Sequence, residues 1–473
     1  MIHTSISSGP LLGGAVIVAD GRVTLLDPSA LQSTHMDALA RTAVFGTEAE
    51  RLRARWLLWE LGQLVGVRPA SIHDLYMARG RGECGGFTVP AINVRGASYD
   101  TARAIFRAAN ALDAGAFILE IARSEIAYTE QRPAEYVSVM IAAALREGFR
   151  GPLFIQGDHF QVNAKKYAVD PVTEVNAVKA LVTEAVAAGF FNIDVDTSTL
   201  VDLAQPTLAE QQRRNYEVCV DITRTVRAEE PAGVTISVGG EIGEVGTENS
   251  TPEELEAFMD GFNATLEEQA PGMAGLSKIS VQSGTSHGGV VLADGSIADV
   301  KLDFDTLARL STIARERYGL SGAVQHGAST LPDSAFHHFP RTETAEIHLA
   351  TNFQNMLYDH LPAALRSEIY AWLDVNAKDE RKATDSDEQF YYKTRKKALG
   401  PFKAQLWALP GEVTAALGKA YDEKFSFLFR QLGIAGTRAV VSRYVRPPVQ
   451  HRPMPDGATP GVVAAPDDAD LSD

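Results

Sequence analysis

The stretch PLFIQGDH (152–159) decides how this chain reads. An apolar run is closed by a glycine, and Asp158 and His159 follow where a β-strand would stop. Other segments share that build. TISVGGEI (235–242) ends at Glu241, LSKISVQSG (276–284) runs into a turn carrying His287, and GAVQHG (322–327) carries His326. In a parallel α/β protein the strand C-termini open on one face, so these groups converge. Three imidazoles around an open position form a catalytic zinc pattern, and Glu241 adds a fourth or alternating ligand. One such histidine alone would more often be structural, whereas three with a carboxylate favour a metal site. The chain has no His-x-His, which weighs against metal-assisted hydrolysis of the amidohydrolase kind.

Working outward, the pattern repeats. Strand-like segments are predicted at 87–94, 116–122, 152–159, 191–197, 235–242, 276–284, 322–327 and 345–351. They are rich in Ile, Val and Phe and nearly continuous in apolarity, as in strands covered on both faces. Helical spacing is predicted between them, as at 100–115, 133–148 and 171–189. Eight such units predict a (β/α)8 TIM barrel over residues 71–360. A doubly wound sheet is the alternative, but no phosphate-binding G-x-G-x-x-G follows the first strand. Residues 1–70 read as an N-terminal extension, with a hairpin about Asp20-Gly21 and a helix at 48–65. Residues 361–445 read as additional C-terminal helices, packed on the barrel or on another subunit. The Pro-, Ala- and Asp-rich segment 446–473 is expected to be a disordered tail.

Composition excludes whole classes. The 473 residues are 45% hydrophobic, enough for a large core. A formal charge of -16 argues against nucleic-acid binding. Cys84 and Cys219 are the only cysteines, so a disulfide framework is excluded and a cytoplasmic location is expected. No apolar run suits a signal peptide or a membrane span, so no membrane partner is expected.

Other segments suit a binding face. GTSHGG (284–289) and HGAST (326–330) are ordinary rim turns or phosphate cradles of backbone N–H groups and hydroxyls. GEVGTENSTPEE (243–254) is a helix-capping turn or a mobile loop carrying a general acid or base. FYYKTRKK (390–397) is a solvated basic face, or an arm binding an anion in a neighbouring site.

These residues resemble the zinc-dependent class II ketose-bisphosphate aldolases, typified by fructose-1,6-bisphosphate aldolase. QGDHF, GFFNIDVDTS, GGEIGEVG, SGTSHGG and VQHGAST are similar to that family's motifs and stand in its order between about residues 71 and 360. The resemblance implies His159, His287 and His326 as zinc ligands, with Glu241 nearby or alternating and Asp196 close to the metal. It implies Asp158 as the group exchanging a proton with the C4 hydroxyl and Glu248 as the acid/base of the loop. It places Asn93 on substrate, Gly288, Gly327 and Ser329 around a phosphate, and Arg395 on a second phosphate reached from a partner subunit. His348 stands where the family has a substrate-contacting Asn, and is assigned to the substrate on that ground. Ala122 replaces a family Ser, with Ser124 following, and HGGVVLADG lacks a lysine found in some members.

The implied activity is reversible cleavage of a phosphorylated ketose, with fructose 1,6-bisphosphate giving dihydroxyacetone phosphate and glyceraldehyde 3-phosphate, a reaction of glycolysis. The partner is a small sugar phosphate, and a homodimer or larger homo-oligomer is expected. Whether a monovalent cation assists stays open. Two alternatives remain at this stage. One keeps the metal chemistry on tagatose bisphosphate or on a singly phosphorylated or sulfonated ketose. The other is a non-catalytic metal-binding scaffold.

Overall fold

The computed structural model describes residues 12–243, 248–284 and 302–455. Eight parallel strands close on themselves: β1 (Val89–Asn93), β2 (Ile118–Ala122), β3 (Gly151–Gln161), β4 (Asn192–Asp196), β5 (Ser237–Glu241), β6 (Lys278–Val281), β7 (Ala323–Gln325) and β8 (Glu346–Leu349). Each pairs with the next, and β8 returns to β1 with His348 beside Ala91. Every predicted strand is present, and the fold is a (β/α)8 barrel with extra C-terminal helices.

The intervening helices follow from local chemistry. The helix Pro171–Ala188 starts at a proline, with Asp170 accepting from Thr173 N–H, and stops at Gly189 in the left-handed region. The helix Pro133–Arg146 likewise begins on a proline, where the missing N–H costs nothing.

The hairpin forms as predicted, from Val16–Ala19 and Arg22–Leu25. The helix Glu48–Val65 leads into a further strand, Val67–Ala70, that pairs with the start of β3. One apolar cluster runs from Leu12 to Val445, so the N-terminal segment, barrel and C-terminal helices share a core. The expected tail disorder does not hold from Arg446 to Pro455. Trp56 and Trp59 donate to the carbonyls of Arg452 and Gln450, and the Arg452 guanidinium lies 3.3 Å from the Trp59 ring centre. The rest of the tail lies outside the described residues.

The barrel interior departs from the usual layers of branched apolar side chains. Lys278, fully buried on β6, reaches Asp194 at 2.9 Å and Glu346 at 2.5 Å. Gln156 donates to Glu120 at 3.0 Å and to Glu346 at 2.9 Å, and Tyr76 donates to the other Glu346 oxygen. Gly239 lies between Asp194 and Lys278 in register. A Cβ there would come within 2.3 Å of the Asp194 carboxylate, so glycine opens the path for the ion pair.

Candidate active site

At the C-terminal end of β3 the backbone breaks its alternation. Successive residues of a regular strand face opposite sides. The pairing of β3 with β4 shifts register between Gly157 and Phe160, and His159 adopts φ +40. This bulge aims both Asp158 and His159 at the barrel mouth. A left-handed histidine stores about 1–3 kcal/mol, a strain that concentrates at functional sites. Gly157 is required beside it, because a Cβ would sit 2.5 Å from the Phe160 ring.

Donor atoms of His159, Glu241 and His326 lie within 4.8 Å of one another, from β3, β5 and the end of β7. The ring centres of His159 and His326 are 4.2 Å apart. Each ring is anchored at one nitrogen. His159 Nδ1 faces Asp196 Oδ2 at 3.1 Å, and His326 Nε2 meets Ser280 Oγ at 3.0 Å. Such anchoring is how metal-ligating histidines are oriented. Two imidazoles and a carboxylate form a donor set that fits a divalent transition ion, zinc foremost.

Burial, then Asp196, pushes the Glu241 carboxyl up to about 7, against the pull of His159. Burial alone would lower the His159 imidazole, but Asp158, Glu241 and Asp196 hold it well above its usual range.

The other predicted residues separate into groups. Asp158, 5% exposed, lies beside His159 and carries its Oδ1 3.1 Å from His348 Nδ1. Asp196 was assigned to the metal, yet both its oxygens are engaged. Oδ1 accepts from Ser198 N–H and hydroxyl, and Oδ2 accepts from Gln161 and faces His159. It therefore stands behind His159 as an orienting group. Asn93 donates to Glu125 and accepts from Arg95 at 3.2 Å. Gly327 turns the chain at φ +68, and Ser329 accepts from Ala350 N–H at the end of β8. Glu248 is exposed next to residues 244–247. His287 and Gly288 lie outside the described residues.

Two residues expected on substrate or phosphate lie in buried surroundings. His348, assigned to the substrate, stands among carboxylates. Its ring is 5% exposed and meets Glu120, Asp158 and Glu346 at 3.1, 3.1 and 2.8 Å. A substrate phosphate would be repelled by these carboxylates. Arg395, expected on a second phosphate, is engaged within its own chain. It is 8% exposed, stacks between Tyr358 and Tyr392, and donates to Asn355.

The sequence reading missed the charged interior, although a signal was present. Glu120 interrupts an otherwise apolar strand, and Asp194, Lys278 and Glu346 each lie within a strand beside apolar residues. Burial lifts Glu120 to about 8 and Asp194 to about 6, with Asp158 adding to the first and Lys278 opposing the second. For Glu346 burial acts in the same sense, but Lys278 and His348 override it and hold the group well below the usual range.

Fold and site together define a barrel with a His/carboxylate group that could hold an ion at its C-terminal mouth. The sequence model of "Fructose-bisphosphate aldolase class-II" matches residues 81–405, and the chain belongs to that family. It is accordingly an aldolase, a carbon–carbon lyase of a family that generally depends on a metal. A search of curated proteins found no match. Among solved structures, a "probable tagatose 6 phosphate kinase" from Sinorhizobium meliloti 1021 is similar at TM-score 0.54 and 17% identity, covering 76% of this chain and 99% of that one. The fructuronate-tagaturonate epimerase of Cohnella laeviribosi gives 0.51 and 13%, covering 74% and 82%. The fructose-bisphosphate aldolase of Campylobacter jejuni gives 0.45 and 15%, covering 77% and 94%. At these identities the likeness of the first two speaks for the fold alone.

Proposed function

We propose that this aldolase reversibly cleaves fructose 1,6-bisphosphate to dihydroxyacetone phosphate and glyceraldehyde 3-phosphate, with zinc as its ion. The observation that carries the reading is the convergence of His159, Glu241 and His326 beside Asp158 at the barrel mouth. Zinc held by His159, His326 and Glu241 supplies a Lewis acid for the ketone side of the substrate. Asp158 accepts the C4 hydroxyl proton as the C3–C4 bond breaks, and returns it in condensation. The bond's electron pair stays with C3, C4 becomes the aldehyde carbon, and Glu248 exchanges the proton at C3. Asp196 and Ser280 keep the two imidazoles oriented through the cycle. Lys278 is locked between Asp194 and Glu346, so its amine is not disposed for a Schiff base.

The buried position of Arg395 favours a second reading of the substrate. With that guanidinium committed to Tyr358, Tyr392 and Asn355, a singly phosphorylated ketose fits the same chemistry. Among the described residues no helix is long and apolar enough to cross a membrane, which accords with a cytoplasmic enzyme. The C-terminal helices remain the argument for a homo-oligomer.

The test is release of dihydroxyacetone phosphate from fructose 1,6-bisphosphate by zinc-loaded protein, with a chelated sample and a panel of singly phosphorylated ketoses alongside. Chelator-sensitive release from the bisphosphate supports the first reading. Release only from a singly phosphorylated ketose moves the assignment to the second. A folded, zinc-loaded protein inert on all of them contradicts both.

A further inference from the structure

We propose that His348 is a positioning residue for Asp158, fixed from behind by the buried carboxylate of Glu346. The inference rests on the reading of Asp158 as the group that exchanges a proton with the C4 hydroxyl. His348 lies on β8 with both ring nitrogens facing carboxylates. Nδ1 is 3.1 Å from Asp158 Oδ1 and 3.1 Å from Glu120 Oε2, and Nε2 is 2.8 Å from Glu346 Oε1. The ring also stacks on His326 at 4.0 Å. A ring with a carboxylate facing each nitrogen and an imidazole on one face has little freedom to turn.

Glu346 cannot follow a displacement of the ring either. Lys278 holds the oxygen facing His348 at 2.5 Å, Gln156 donates to the same oxygen at 2.9 Å, and Tyr76 donates to the other. The chain Lys278–Glu346–His348–Asp158 thus ties a group at the barrel mouth to a saturated frame in its interior. Asp158 itself precedes a left-handed residue within a bulge. Misplacing a reacting group by about 1 Å costs on the order of 10²-fold in rate.

Two reactions of one site separate this role from a merely structural one. Exchange of the C3 proton of dihydroxyacetone phosphate with solvent requires the ion centre and involves no C4 hydroxyl. Cleavage of fructose 1,6-bisphosphate requires both. In His348→Asn, kcat for cleavage should fall about 100-fold. KM, C3 exchange and zinc content should stay within about threefold of wild type, as for an interaction lost only in the transition state. Unchanged exchange also certifies that the variant is folded. Glu346→Gln should show the same split to a smaller degree, and the double variant should lose no more than His348→Asn alone, because the two act through one chain of contacts. Wild-type cleavage by His348→Asn, or a parallel fall of cleavage and exchange, would overturn the inference alone. A wild-type protein that exchanges but cleaves no ketose phosphate, or does neither, would overturn the reading beneath it and the inference with it.

Discussion

Two depths of one barrel use charge in opposite ways. In the middle layer each ion finds its partner: Lys278 meets Asp194 and Glu346, and Gln156 and Tyr76 occupy further carboxylate oxygens. At the rim, His159, Glu241 and His326 aim their donors at a common point. Saturated buried charge fixes geometry, because removing one partner strands the other in a medium of low dielectric. Converging donors suit a cation. On the proposed reading the middle layer is a frame and the rim the reactive centre, and His348 touches both.

The sharpest way to break this contrast lies at the rim. His159→Ala should abolish zinc retention and lower turnover by about 10³-fold or more, since a Lewis-acid ion contributes several kcal/mol. Its fold should survive, which urea unfolding of the zinc-free proteins would establish. The middle layer should answer in the reverse manner. Lys278→Met leaves Asp194 and Glu346 buried without their cation, and should cost about 3–5 kcal/mol of stability by urea unfolding. A loss below about 1 kcal/mol would show that the layer is no frame.

A smaller effect is expected between the two layers. Asp196→Asn removes the charge that orients His159, and zinc affinity should weaken by about 10–100-fold in a competition titration. An unchanged affinity would return Asp196 to the role of bystander.

The smallest effect is on pH. Burial, then Asp196, raises Glu241 from its usual range to about 7, so the ion-free fold prefers this group protonated. That contribution is complete below pH 4.5 and is lost as pH rises through about 7. A cation takes the proton's place, so its stabilisation grows over the same window. The gap in Tm between zinc-loaded and chelated protein should widen from pH 5.5 to pH 8. A gap that is flat or narrows would contradict the placement of Glu241 at the ion.

The fold was largely legible because a strand covered on both faces must be written in Ile, Val and Phe and must stop at a turn. PLFIQGDH, GAVQHG and the other runs obey that rule. His159, Glu241 and His326 were legible for the same reason, since strand ends in a barrel share one face. The charged layer was written in the same segments, as Glu120 within AFILEIA and Lys278 within LSKISV, but its pairing depends on which strands become neighbours. The surroundings of His348 were not legible because its partners come from β2, β3 and its own strand, and no local pattern reveals three carboxylates around one ring. The burial of Arg395 was not legible because it depends on Tyr358, on a separate helix. The tail's composition gave no hint that Gln450 and Arg452 would satisfy the indoles of Trp59 and Trp56.

The central claim is that the rim holds a catalytic ion. Equilibrium dialysis of wild type and His326→Ala against zinc, with Arg395→Ala as a control away from the rim, tests it most directly. The expected result is a stoichiometric ion in wild type and in Arg395→Ala, and none retained by His326→Ala. Full zinc retention by His326→Ala, or no retention by the wild-type protein, would contradict it.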